Sequence, residues 1–285
     1  MAARIPVSVI IMTYNEEKNL PHALRSVADW ADEVFIVDSF STDRTLEIAR
    51  QHTDKDKIVQ HPFEGFGRQL NWALDTMPIR NDWVYVLDAD EQITPGLRDE
   101  IAAAVSDPSR EEAAYWVTWK VMFMGKWIKY SSCYPTWFVR LIRKDKARRE
   151  EHSVNPHMIV QGKIGYLRQP MIHENHKGIS DWVAKHNVYA TGEAEEYFKH
   201  NVGRYIPLRF WRGSQAERKR FIRYKIYPCL PARSFLYFLY LYVYRRGFLD
   251  GIAGFHFSVL KAFFFYLIEL KIKEKSQEKQ KASSS

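Results

Sequence analysis

Short apolar runs alternate with stretches in which apolar residues recur every three or four positions, and this alternation organises the first hundred residues. Val7-Ser-Val-Ile-Ile-Met12, Glu33-Val-Phe-Ile-Val37, Ile58-Val59 and Trp83-Val-Tyr-Val-Leu87 read as buried strands. Between them, Asn19 to Trp30 carries Leu20, Leu24 and Val27 at helical spacing, and Leu46 to Arg50 and Gly67 to Leu74 continue as helices. Thr94-Pro95 opens a further helix, Leu97 to Val105. Strands alternating with helices predict an α/β fold, a Rossmann-like and mostly parallel sheet covered by helices.

The pattern changes after residue 110. Ala114 to Met124 is strand-like and aromatic, Gly125 to Ile128 reads as a turn into Tyr130, and residues 180–200 look helical. Trp116, Trp119 and Trp127 suit either sugar faces or core, with core the expectation for at least two. From Asn201 to Arg233 nine basic residues stand against the single acid Glu217, interleaved with aromatic and aliphatic side chains. Ser234 to Tyr244 is an uncharged run of eleven, and Ile252 to Ile268 is interrupted by Lys261. Eleven residues fall short of the roughly twenty that span a bilayer, so two amphipathic or re-entrant helices are expected, followed by a fraying tail from Lys271. The expected organisation is a domain over 1–200, divided into 1–110 and 111–200, and a helical membrane-associating region over 201–285.

Charge sharpens that division. Residues 1–200 carry 25 Lys+Arg against 29 Asp+Glu, whereas residues 201–285 carry 17 against 5. A basic, aromatic C-terminal third fits an anionic membrane surface; its apolar content is too continuous for nucleic acid. The same helices are a candidate contact for a homo-oligomer. Two cysteines, Cys133 and Cys229, make no disulfide framework and suit a reducing compartment. Met1 to Pro6 holds no apolar run, so no signal peptide is expected.

Candidate chemistry gathers where the strands end, the position at which open α/β sheets bind ligands. Asp88-Ala89-Asp90 follows the fourth strand, and two carboxylates one residue apart can hold a hard cation such as Mg²⁺ together with substrate phosphates. Asp38 ends the second strand, where an acidic residue can accept hydrogen bonds from a ribose or base. Thr13, Tyr14, Asn15 and Glu16 follow the first strand, although Thr13 and Asn15 also suit simple helix capping. Arg68 sits at a helix start, where a basic side chain can meet phosphate.

Four stretches, Val9-Ile-Ile-Met-Thr-Tyr-Asn-Glu-Glu17, Val37-Asp-Ser-Phe-Ser-Thr-Asp-Arg-Thr45, Gly67-Arg-Gln-Leu-Asn-Trp-Ala73 and Leu87-Asp-Ala-Asp-Glu91, occur in this order. Together they resemble the nucleotide-sugar half of family 2 glycosyltransferases with the GT-A fold. One departure is that Ser39 and Phe40 stand where many relatives have Asp and Gly. The resemblance implies that Thr13, Tyr14, Asn15 and Glu16 line the nucleotide pocket and that Asp38 contacts base or ribose. It implies that Arg68 approaches the phosphates, and that Asp88-Ala89-Asp90 serves ribose and a Mg²⁺ or Mn²⁺ ion through Asp88 and Asp90. UDP is the nucleotide it implies.

Tyr134 to Arg143 resembles the acceptor-side strand of the lipopolysaccharide-core glucosyltransferase type. Those relatives carry an acidic residue shortly before a Val-His-Glu motif; here Val154 is followed by Asn155-Pro156, with Glu150-Glu151-His152 before it. An inverting transfer needs a group to take the acceptor hydroxyl proton, and Glu151 is the first candidate, with Glu150 and His152 behind it. The bland alternative is that both Glu residues answer Arg148 and Arg149 on a solvated loop. His173-x-x-His176 is a weak zinc pattern, read instead as acceptor binding or packing.

The expected function is therefore an inverting, metal-dependent transferase. It moves a sugar from a nucleoside diphosphate to a lipid-linked or lipopolysaccharide acceptor at the cytoplasmic face of the inner membrane, as a peripheral or monotopic protein. A nucleotidyltransferase would want a Gly-rich, Lys/Arg-bearing loop where Thr13 to Glu16 stand, and a non-enzymatic scaffold would have no use for Asp38, Asp88 and Asp90.

Overall fold

A computed structural model describes residues 4–151, 157–201 and 232–284. The chain forms two compact units: one holds the residues up to Lys129 and Cys133–Lys177, the other Tyr130–Ser132 and the residues from Gly178 onward. The helix Ile179–Asn201 belongs to the second unit and packs on the C-terminal helix.

In the first unit β1 (Ile5–Thr13), β2 (Ala31–Asp38), β3 (Ile58–Gln60) and β4 (Trp83–Asp88) form the parallel part of the sheet, in the order β3-β2-β1-β4. These strands are nearly continuous apolar runs because both faces are covered. Val7, Val9 and Ile11 of β1 face a core shared with α1 (Leu20–Arg25) and α4 (Pro95–Ser106), whereas Ile10 faces the core of α3 (Phe66–Thr76). α2 (Thr45–His52) connects β2 to β3.

Beyond β4 the sheet becomes mixed. β8 (Trp137–Arg143) pairs antiparallel with both β4 and β6 (Glu112–Phe123), and β7 (Lys126–Ile128) folds back on β6 as a hairpin. β11 (Lys163–Tyr166) and β12 (Met171–Glu174) run parallel to β6, and β5 (Glu91–Gln92) pairs antiparallel with β12. β9 (Ala147–Arg149) and β10 (Met158–Val160) make a separate ribbon. Trp116 and Trp119 pack against the two cores, and Trp127 lies under Lys120 and Lys129.

The order reverses at β1: β2 and β3 lie on one side, β4 on the other. That is a switch point, with its crevice outside the carboxyl ends of the strands. Register aligns those ends, pairing Thr13 with Asp38 and Met12 with Asp88. Neighbouring strands are about 4.8 Å apart, so Thr13, Asp38 and Asp88 come to one rim.

The second unit is helical. α5 (Ile179–Asn201) packs on α7 (Gly251–Ser284), as does α6 (Arg233–Leu239), which continues through a π-turn, Tyr240–Tyr244. The His186 ring stacks on Trp182 at 3.6 Å and meets Phe264 edge-on. Arg233 is buried and donates to Glu269 at 3.1 Å. Buried Asp250 accepts the backbone N–H groups of Tyr130 and Ser131 at 3.0 and 2.8 Å. Lys261 does not interrupt α7; its ammonium lies over the Phe257 ring at 5.5 Å. The helical stretch Gly247–Lys281 is long and apolar enough, by length and composition, to cross a membrane. The basic segment 202–231 lies outside the described residues.

Candidate active site

Three strand ends build the floor. Thr13 and Asp38 are buried, and the Asp38 carboxylate accepts Thr13 Oγ1 at 2.9 Å, the Ser41 N–H at 2.9 Å and Gln60 Nε2 at 3.1 Å. Its lone pairs are thus engaged by protein. Asp38 braces the loop here through these bonds.

The loop after β1 is laced to the loop after β2. Asn15, in the left-handed region at φ 53°, accepts the Thr42 N–H at 2.8 Å while its own N–H goes to Ser41 Oγ. Asp43 accepts the Thr45 and Glu17 N–H groups at the start of α2. Tyr14 remains 59% exposed, so it alone of this loop offers a large free face. Glu16 is turned inward, accepting Lys177 Nζ and Asn19 Nδ2, both at 2.7 Å. Burial raises the Glu16 pKa, with the Lys177 hydrogen bond and charge pulling the other way.

At the end of β4 the turn Asp88-Ala89-Asp90-Glu91 is held from three sides. Glu91 is fully buried and accepts the Asp88 N–H at 3.0 Å. Arg140, 4% exposed in the middle of β8, donates to Asp88 at 2.6 Å and also to Glu91. Burial works against an ionised Asp88, yet Arg140 and then Arg149 outweigh it and hold its pKa below the usual carboxylate range. Glu91 has no such surplus, and burial pushes it up to about 8 against the pull of Arg140. Arg140 and Arg149 thus favour the ionised form of the outer acid, while burial favours the neutral form of the inner one.

Asp90 faces β12. The Glu174 N–H donates to the Asp90 carbonyl at 2.9 Å, and His173 Nε2 lies 3.5 Å from an Asp90 carboxylate oxygen. Trp119 flanks His173 with ring centroids 4.7 Å apart. A carboxylate oxygen suits Mg²⁺ or Mn²⁺, and an imidazole nitrogen this close could join it on a transition ion such as Mn²⁺. Among the described residues no group of three His, Cys, Asp or Glu side chains could hold a metal alone.

Across the rim, Arg68 on the first turn of α3 donates to Glu151 Oε2 at 3.2 Å. Both side chains are more than half exposed, so the pair orients the two groups and adds little stability. A Cβ on Gly67 would come 2.0 Å from the Glu150 carbonyl oxygen, so this glycine lets the Glu150-Glu151 backbone lie directly on α3. Glu150 is folded back on its own ribbon, accepting the His157 N–H at 3.1 Å. His152 lies outside the described residues. Arg148 reaches Asp75 at 2.9 Å, and the backbone of Arg149 is clamped by Asn71.

Arg140, Arg149 and Glu91, which gather around Asp88, were not singled out from the sequence, and His173 was read there as acceptor binding or packing. A signal existed for Arg140, since a cation inside Trp-Phe-Val-Arg-Leu-Ile must meet a buried acid.

The chain is 27% identical over 289 residues to an uncharacterized glycosyltransferase of Rickettsia typhi, covering 98% of this chain and 90% of that protein. It is 26% identical over 277 residues to the lipopolysaccharide core biosynthesis glycosyltransferase LpsC of Rhizobium meliloti, covering 95% and 93%. Among solved structures, S. aureus TarS 1-349 in complex with UDP-GlcNAc aligns with a TM-score of 0.44 at 17% identity, covering 94% of this chain and 92% of that one. Residues 8–172, which run from the first strand of the sheet to the edge of His173, match the sequence model of glycosyl transferase family 2, and the chain belongs to that family.

Proposed function

We propose that this glycosyltransferase moves a sugar, with inversion, from a UDP-sugar to a lipid-linked or lipopolysaccharide saccharide at the cytoplasmic face of the inner membrane. The observation that carries the reading is the rim itself. Strand register puts Thr13, Asp38 and Asp88 side by side, β12 brings His173 to Asp90, and α3 holds Glu151 on Arg68. The nucleotide rests on the resemblance of the four ordered motifs, and the saccharide acceptor on the likeness to LpsC.

In this reading the acceptor hydroxyl oxygen attacks the anomeric carbon as the bond to the β-phosphate oxygen breaks. The electron pair leaves with the diphosphate, and the hydroxyl proton passes to Glu151. Arg68 holds the Glu151 carboxylate in place, and Tyr14 offers the exposed ring at the nucleotide side. Asp90 and His173 would hold Mg²⁺ or Mn²⁺, with Asp88 beside them; the bound ion supplies positive charge to the departing diphosphate. Asp38 acts through Thr13 and Ser41, keeping the floor rigid.

Placement of Glu151 has its own test. In Gly67→Ala the new methyl must push the Glu150-Glu151 backbone off α3. A shift of about 1 Å in a reacting group can cost on the order of 10²-fold. The expected result is a kcat reduced by about that factor with donor KM little changed; an unchanged kcat removes this segment from the chemistry.

Membrane attachment rests on the second unit. Exposed Phe248, Ile252, Phe255, Val259, Phe263, Tyr266 and Leu270 recur at steps of three and four along one side of α7 and its lead-in turn. Phe235, Tyr240, Val243 and Tyr244 add exposed apolar surface on the first arm. Basic side chains near an anionic leaflet contribute about 1 kcal/mol each and are screened by salt, whereas apolar burial is not. The excess of Lys and Arg around these segments favours the cytoplasmic side. High salt is therefore expected to leave the protein on membranes and detergent to release it. A full-length protein that is soluble and monomeric without detergent contradicts this placement.

A further inference from the structure

Arg149 ends β9, immediately before the Glu150-Glu151 segment. Its backbone is fixed in both directions by one side chain: Asn71 Nδ2 donates to the Arg149 carbonyl and the Arg149 N–H donates to Asn71 Oδ1, both at 2.9 Å. Its guanidinium is used differently. Nη1 is sealed from solvent and has no hydrogen-bond partner among the described residues. The carboxylates nearest in kind are already engaged, since Asp88 and Glu91 both accept from Arg140. The Arg149 charge is nevertheless in their field: burial lowers its pKa, and attraction to Asp88 is the first term resisting that.

A buried guanidinium nitrogen with no hydrogen-bond partner is costly, and a bound anion would satisfy it. A guanidinium is also the side chain whose planar fork matches phosphate oxygens in pairs. We infer that Arg149 is a donor-diphosphate ligand of this enzyme, a preplaced guanidinium at the end of β9 that takes up phosphate oxygens beside Asp88 when the nucleotide sugar binds. The inference rests on the proposed use of a nucleoside-diphosphate sugar. It assigns the anion contact to Arg149 in addition to Arg68, whose guanidinium is exposed and occupied by Glu151 and Glu64. One strand end would then carry both partners of the reaction, with Arg149 on the leaving group and Glu151 on the incoming hydroxyl.

The test is calorimetric binding to the full-length protein in detergent, using UDP, GDP, ADP and dTDP, with the matching nucleoside as control. For the diphosphate that wild type binds, Arg149→Met is expected to raise Kd by about 10- to 100-fold, the range of a charge-assisted hydrogen bond. Binding of the nucleoside should be unchanged, and Arg149→Lys should recover part of the loss. The melting temperature of ligand-free Arg149→Met should stay close to that of wild type, because Asp88 keeps its hydrogen bond from Arg140. Wild-type diphosphate affinity in Arg149→Met overturns the inference and leaves the proposed function standing. A collapsed melting temperature in both variants makes Arg149 a structural residue and also overturns it. A wild type that binds none of the diphosphates sinks the proposed donor class and this inference with it.

Discussion

Asp90→Ala is expected to lose sugar transfer by at least about 10²–10³-fold while the protein stays folded. The size follows from the charge that develops on a departing diphosphate, whose stabilisation by one preplaced electrostatic partner is worth about 3–4 kcal/mol. Retention of fold follows from the position of Asp90 in a turn beyond the last residue of β4, outside both hydrophobic cores. Stability should fall by about 1 kcal/mol or less, readable in a thermal melt. His173→Ala should reduce transfer in the same direction, since His173 faces the same carboxylate at 3.5 Å. Excess chelator should reproduce the Asp90→Ala phenotype in wild type, with Mn²⁺ or Mg²⁺ restoring the rate. Full activity in excess chelator removes the ion from the account, and full activity of Asp90→Ala removes Asp90 from the site.

Glu151→Gln is expected to lower kcat by about 10²–10⁴-fold, the usual contribution of a general base. The amide oxygen can still accept from Arg68 Nε, so the geometry of the pair survives while the proton acceptor is lost. Donor KM should therefore hold, which separates loss of chemistry from loss of binding. Glu150→Gln is the control, because its carboxylate is already committed to the His157 N–H. Normal turnover in Glu151→Gln with a failing Glu150→Gln or His152→Ala moves the role to that residue.

Much of the rim was legible because β-strand ends announce themselves. Four apolar runs, each followed by polar or acidic residues, put Thr13, Asp38 and Asp88 at carboxyl ends, and register then needs only the order of the strands to align them. Arg68 was legible for a similar reason, as a basic residue opening a helix. What stayed hidden came from the mixed part of the sheet. Arg140 arrives on β8, which inserts antiparallel beside β4, and nothing local specifies which strand becomes that neighbour. His173 meets Asp90 only because β12 pairs with β5, a two-residue strand below the length that a periodic pattern can reveal. The hydrogen bonds that Asp38 accepts come from positions 13 and 60 as well as 41, too far apart along the chain for a local pattern to show. For the Glu150-Glu151 pair, sequence proximity pointed to Arg148 and Arg149, whereas the fold supplies Arg68 across 83 positions.

The most direct measurement is release of nucleoside diphosphate by the purified full-length protein from a panel of nucleotide sugars, with Mn²⁺ or Mg²⁺ and a membrane saccharide acceptor. The account predicts release from a UDP-sugar, dependent on the acceptor and lost in both Asp90→Ala and Glu151→Gln. Release that persists undiminished in both variants, or none from any donor by a wild type shown to be folded, would contradict it.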